Sequence, residues 1–107
     1  MKISRLIEIL NARLINVPDE NAEVEDGYCG DFLSFVMQRA PENAVWFTVM
    51  TNLNVAAVAS LTGVGAVVVC EGSKCDSLLA DRMKTQNICL LETDLDIFGA
   101  VKAYLEK

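Results

Sequence analysis

The sequence predicts a single α/β domain with a small, mostly parallel sheet flanked by helices, and three observations predict it. An apolar β-type run that ends in small polar residues and hands over to a helix occurs twice, at 45 to 62 and at 66 to 86. Strands buried on both faces of a parallel sheet read as such continuous apolar runs, and helices supply their crossovers. A third buried run, Ile88-Cys89-Leu90-Leu91, is followed by another helical pattern. Finally, 107 residues with 52% apolar and 22% charged side chains fill one core and leave no room for a second. One domain over residues 1 to 107 follows.

Along the chain, Ile3, Leu6, Ile7, Leu10 and Leu14 recur at the helical period, which predicts a helix from Ser4 to Leu14 with Ser4 as N-cap. Ile7 stands where a capping box would need Glu or Gln. The polar stretch 17 to 25, with Pro18, Asp19, Glu20 and Asn21, reads as a solvated loop between short strands. Val24 to Cys29 is a second short strand, and Asp31 is placed to cap a helix from Phe32 to Arg39 that Pro41, Glu42 and Asn43 stop.

The strand 45 to 50 leads through Thr51-Asn52-Leu53-Asn54 into a helix from Val55 to Leu61. Gly63-Val64-Gly65 contains part of a dinucleotide fingerprint, but it follows a helix and precedes a strand, the reverse of the required context. It reads as a helix C-cap and a tight turn into the strand 66 to 70. A helix ending near Gln86, the strand 88 to 91 and a terminal helix spaced by Leu95, Phe98, Val101 and Leu105 and running to Lys107 complete the order. The strands 45 to 50, 66 to 70 and 88 to 91 are expected to be parallel neighbours, because each connection is long enough for a right-handed crossover. The helix 55 to 61 is small or apolar all round, so one side needs the sheet and the other a further element or subunit. A symmetric homodimer is expected.

Composition excludes several functions. A net charge of -6 with Lys and Arg scattered singly offers no basic stripe for nucleic acid or an anionic membrane. No apolar run is long enough to cross a bilayer, and the N-terminal residues lack the apolar core of a secretory signal, so the expected address is the cytoplasm with reduced cysteines. The chain has no histidine, which removes Ser-His-Asp and Cys-His nucleophiles and His-based metal sites. Cys70 and Cys75 form a C-x4-C pair, but no third cysteine stands two residues on and no paired zinc knuckles exist. There is no P-loop. No catalytic residue, metal or cofactor is therefore predicted. Cys70 and Cys89 fall in apolar runs as small buried hydrophobes, and Cys75, beside Lys74 at an expected helix start, is the best candidate for a reactive thiol.

What remains is a set of polar residues at the C-terminal ends of the expected strands, where an open parallel sheet forms its ligand crevice and helix N-termini present free N–H groups. Thr51, Asn52 and Asn54 follow the first strand; Glu71, Gly72, Ser73 and Lys74 the second; Thr93 and Asp94 the third. Asn54, Asp76 and Asp94 can also act as N-caps, and Gly72 as a turn. The candidate ligand site is Thr51, Asn52, Asn54, Gly72, Ser73, Lys74 and Asp94, for an anionic metabolite or nucleotide.

Several segments together resemble the DRTGG-domain family: 27 to 37 (GYCGDFLSFVM), 46 to 59 (WFTVMTNLNVAAVA), the strand and turn 67 to 72, and 91 to 98 (LETDLDIF). The family occurs as stand-alone bacterial and archaeal proteins and as a regulatory module of some phosphotransacetylases and CBS-containing pyrophosphatases, and its fold is similar to the N-terminal domain of HPr kinase/phosphorylase. The resemblance implies a non-catalytic regulatory or assembly domain, commonly dimeric. Some stand-alone members neighbour iron-hydrogenase genes, which implies the alternative of an accessory subunit of a hydrogenase or redox system; a purely structural dimerisation domain is the third reading. The eponymous motifs differ here. Asn52-Leu53 stands where Asp-Arg is expected and Cys70-Glu71-Gly72 near Thr-Gly-Gly, so the loops bring no guanidinium and Lys74 is the one cation expected nearby.

Overall fold

The computed structural model describes residues 1 to 106. Three apolar runs become the centre of the sheet: β3 (Val45–Thr48), β4 (Ala66–Val69) and β5 (Cys89–Glu92), each buried along its whole length. They pair in parallel as expected, Val45 opposite Ala66 and Ala66 opposite Cys89. The helices α3 (Asn54–Thr62) and α4 (Ser77–Gln86) make the crossovers. The short strand β2 (Gly27–Cys29) adds in parallel beside β3, and β1 (Arg13–Asn16) adds antiparallel beside β5. The order is β1-β5-β4-β3-β2.

Period-two alternation along the strands separates two cores. Val45, Phe47, Ala66, Val68 and Leu91 face α1 (Ile3–Leu10) and α5 (Ile97–Glu106). Trp46, Val67, Val69 and Leu90 face α3, α4 and α2 (Leu33–Arg39). Gly63 caps α3 in the left-handed region at φ 75°, its N–H bonded to Ala59, as the reading of Gly63-Val64-Gly65 required. Gly65 is held by close approach: a Cβ there would lie 2.6 Å from Val24 Cγ1 and 2.7 Å from Asn43 Oδ1.

Four local expectations are corrected. The first helix ends at Leu10, not Leu14, because Asn11 takes the left-handed conformation and closes it, and Leu14 lies on edge strand β1, 57% exposed. Its N-cap position falls on Lys2, one residue before α1, so Ser4 lies inside the helix. Asp31 does not cap α2; the N-cap is Phe32, with no side-chain bond. The stripe Leu95, Phe98, Val101, Leu105 is not the buried face of the last helix: Ala100 and Tyr104 are buried, while Phe98 and Leu105 are 78% and 70% exposed. The expected end of that helix at Lys107 lies outside the described residues. Among the described residues no helix is long and apolar enough to cross a membrane.

Candidate functional site

Parallel pairing puts the C-terminal ends of β2, β3, β4 and β5 on one rim, and antiparallel β1 brings its first residue, Arg13, to the same end opposite Glu92. Arg13 is the guanidinium that the loops lack. Its Nε donates to Glu92 Oε1 at 3.1 Å and one terminal nitrogen donates to Asp94 Oδ1 at 2.9 Å. The other terminal nitrogen is buried without a partner among the described residues. Lys74 is thus not the one cation of the rim, although Arg13 is engaged by two carboxylates and both raise its pKa, Asp94 the more strongly.

Glu92 lies inside this arrangement with its side chain 5% exposed. Burial works against its charged form, but the Cys75 N–H at 2.8 Å, Arg13 and the Cys75 thiol outweigh it and hold the carboxyl below its ordinary value. The same contact bears on Cys75. Burial and then the Glu92 carboxylate push its thiol up to about 12, the opposite of an activated thiol, and its helix begins only at Ser77. Burial and the Glu92 carboxylate thus work against the activated thiol expected at Cys75 beside Lys74. Cys70 and Cys89 are buried, and Cys29 on β2 is exposed. Among the described residues no three His, Cys, Asp or Glu side chains converge as metal ligands.

The rim is laced by its own backbone. In the β4–α4 loop Glu71, Gly72, Ser73, Cys75 and Asp76 all donate within the protein, to Leu95 O, Thr93 O, Cys70 O, Glu92 Oε2 and Thr51 O. Gly72 sits at φ 70°, and a Cβ on it would lie 3.4 Å from Asp94 Oδ1. Gly72 and Asp94 are therefore together, Thr51 is tied to the start of α4 through Asp76, and Ser73 and Lys74 lie between these ties. Asn54 is the exposed first residue of α3 and does not cap it; Asn52 Oδ1 accepts the Asn54 N–H at 2.9 Å. Asp94 is bound to Arg13 rather than to a helix, and Asp96 takes the capping role, accepting the Gly99 N–H at 2.7 Å. Asp76 occupies the N-cap of α4 without a side-chain bond. The donors left to an anion are therefore the side chains of Thr51, Asn52, Ser73 and Lys74 and the first turn of α4.

Asp31 is a further rim residue. Its Oδ1 accepts from the Thr48 hydroxyl at 2.6 Å and the Val49 N–H at 2.9 Å, fixing the end of β3 to the start of α2. Elsewhere a cleft of about 520 Å3 opens over β2, and none of the seven sequence-predicted residues lines it. A smaller one of about 180 Å3 borders Asp94 and Thr93.

These features define a single α/β domain with a five-stranded, mostly parallel sheet. The chain is similar to the crystal structure of the CBS and DRTGG domains of the regulatory region of a Clostridium perfringens pyrophosphatase complexed with the activator diadenosine tetraphosphate, with a TM-score of 0.82 and 15% identity. The match covers 95% of this chain and 45% of that one. No protein-family profile and no curated protein matches the sequence. At this identity the likeness is one of fold, and the neighbour is a regulatory region rather than a catalytic one.

Proposed function

We propose that the protein is a non-catalytic, cytoplasmic regulatory module that binds a phosphate-bearing metabolite or nucleotide at the rim and acts through a homodimer or a partner protein. The observation that carries this reading is the backbone likeness, over nearly the whole chain, to a regulatory region crystallised with a nucleotide activator. The rim supplies compatible chemistry. The first turn of α4 lacks a side-chain cap, and Lys74, Ser73 and Thr51 lie beside it. In this reading Gly72 lets the loop pass close to Asp94, Asn52 and Asn54 shape the α3 side, and Asp94 holds Arg13 at the edge of the site.

The test is a thermal-shift panel of ATP, AMP, diadenosine tetraphosphate and inorganic tripolyphosphate on wild type and Lys74→Ala. At least one phosphate compound should raise Tm in wild type. The shift should shrink in Lys74→Ala, whose own Tm should be unchanged because Lys74 is an exposed charge. No shift with any compound, or shifts indifferent to the substitution, would overturn the ligand reading. Light scattering tests the assembly: a mass twice the 11.7 kDa of one chain is expected, and a monomer at about 100 μM counts against it.

A further inference from the structure

We propose that the cleft over β2 is a separate binding site for a flat, uncharged heteroaromatic ring bearing an amino group, the chemistry of a free nucleobase or nucleoside. The cleft exists because the helix layer stops short of the sheet edge. Gly27 puts no side chain into the gap, and α5 packs mainly on β3 and reaches the edge through Tyr104. Its volume of about 520 Å3 is that of a small-molecule site. Gly27, Cys29 and Phe47 line it from the sheet; Val101, Tyr104 and Leu105 line it from α5. The rings of Phe47 and Tyr104 stand 5.8 Å apart. The Tyr104 hydroxyl is engaged with Asp26 O at 2.9 Å and both rings are buried, so they close the inner end of the cleft as an apolar wall rather than offering it a polar tip.

The edge strand supplies the polar pattern. Val45 N–H donates to Asp26 O and Gly30 N–H to Phe47 O, so the groups of β2 that turn away from β3 are the N–H and C=O of Gly27 and Cys29. The Gly27 N–H is taken by Asp26 Oδ1. The Gly27 C=O and Cys29 N–H, which flank Tyr28 on the open edge, form an adjacent acceptor and donor. That pair is the complement of an amino group beside a ring nitrogen. The lining carries the acidic Glu25 and Asp26 and no Lys or Arg, and the Met1 ammonium beside it is engaged by Val24 O and Glu23, which favours an uncharged ring over a phosphate. This site contains none of the seven residues assigned to the anion site on the rim and does not depend on them.

The experiment is a 1H–15N titration with adenosine and with cytidine, and separately with inorganic tripolyphosphate, alongside the rate of Cys29 alkylation by iodoacetamide. At least one nucleoside at about 5 mM should move the Gly27 and Cys29 amide resonances and slow Cys29 alkylation about fivefold or more, as near-saturation of a weak site requires. Tripolyphosphate should do neither. Gly27→Leu should abolish both effects; Gly27 has an ordinary backbone, and a Cβ there meets nothing closer than 3.5 Å. Leu105→Glu, at an exposed position of the wall, should do the same without touching the floor. Absence of shifts with both nucleosides, the same shifts with tripolyphosphate, or binding that survives both substitutions would overturn the proposal.

Discussion

Arg13 and Asp94 are hydrogen-bonded at 2.9 Å across 81 positions of sequence, and through Glu92 this pair joins the edge strand to the β4–α4 loop. Glu92→Gln removes the charge that both Arg13 and the Cys75 N–H address, and should cost about 1.5 to 3 kcal/mol at neutral pH by urea denaturation. The pH dependence has a definite sign. Glu92 titrates lower folded than its ordinary value of 4.5, so its contribution is complete above that value and is lost as pH falls below it through the lower folded one. The acid limb of the stability curve should be shallower in Glu92→Gln. An unchanged acid limb would show that the carboxylate is not held as described.

Asp31→Ala strips partners from the buried Thr48 hydroxyl and the Val49 N–H. A loss of about 1 to 3 kcal/mol is expected by chemical denaturation. Asn52→Ala, which removes the bond to the Asn54 N–H, should cost about 1 kcal/mol. Asn54→Ala should be within about 0.5 kcal/mol of wild type, since its side chain is exposed and caps nothing. Equal losses for Asn52→Ala and Asn54→Ala would contradict this division of roles.

The four thiols should separate by rate. Burial is the largest cause that pushes Cys70, Cys75 and Cys89 up to about 12, which leaves about one thiolate in ten thousand at pH 8. Cys29 is raised too, but it is exposed. A thiol reagent should label one cysteine per native chain quickly and four after unfolding, and Cys29→Ser should remove the fast phase. A fast phase that persists in Cys29→Ser and disappears in Cys75→Ser would restore Cys75 as the reactive residue.

The order of all ten elements was legible because the central strands are continuous apolar runs and the turn residues stand between them. The misses have physical causes. Leu14 extends the period of α1, yet Asn11 closes the helix from a left-handed backbone, as Asn87 closes α4; an Asn just past the last buried turn was the available signal. Phe98 and Leu105 keep the helical spacing of a core stripe, but helix α5 is rotated so that Ala100 and Tyr104 meet the sheet, and spacing cannot tell a buried stripe from an uncovered one. The rim loops were readable from strand ends. Arg13 was not, because nothing local shows that an edge strand will run antiparallel and bring its first residue to Glu92. The cleft over β2 was equally hidden, since it depends on where α5 stops covering the sheet.

The most direct measurement is isothermal titration of diadenosine tetraphosphate and of tripolyphosphate into wild type and Lys74→Ala. Binding to wild type, weakened in Lys74→Ala by about 1 to 3 kcal/mol, is the expected result for an exposed ammonium that hydrogen-bonds an ionised ligand. Absence of heat with both compounds, or identical affinities for the two proteins, would contradict a phosphate-binding regulatory rim.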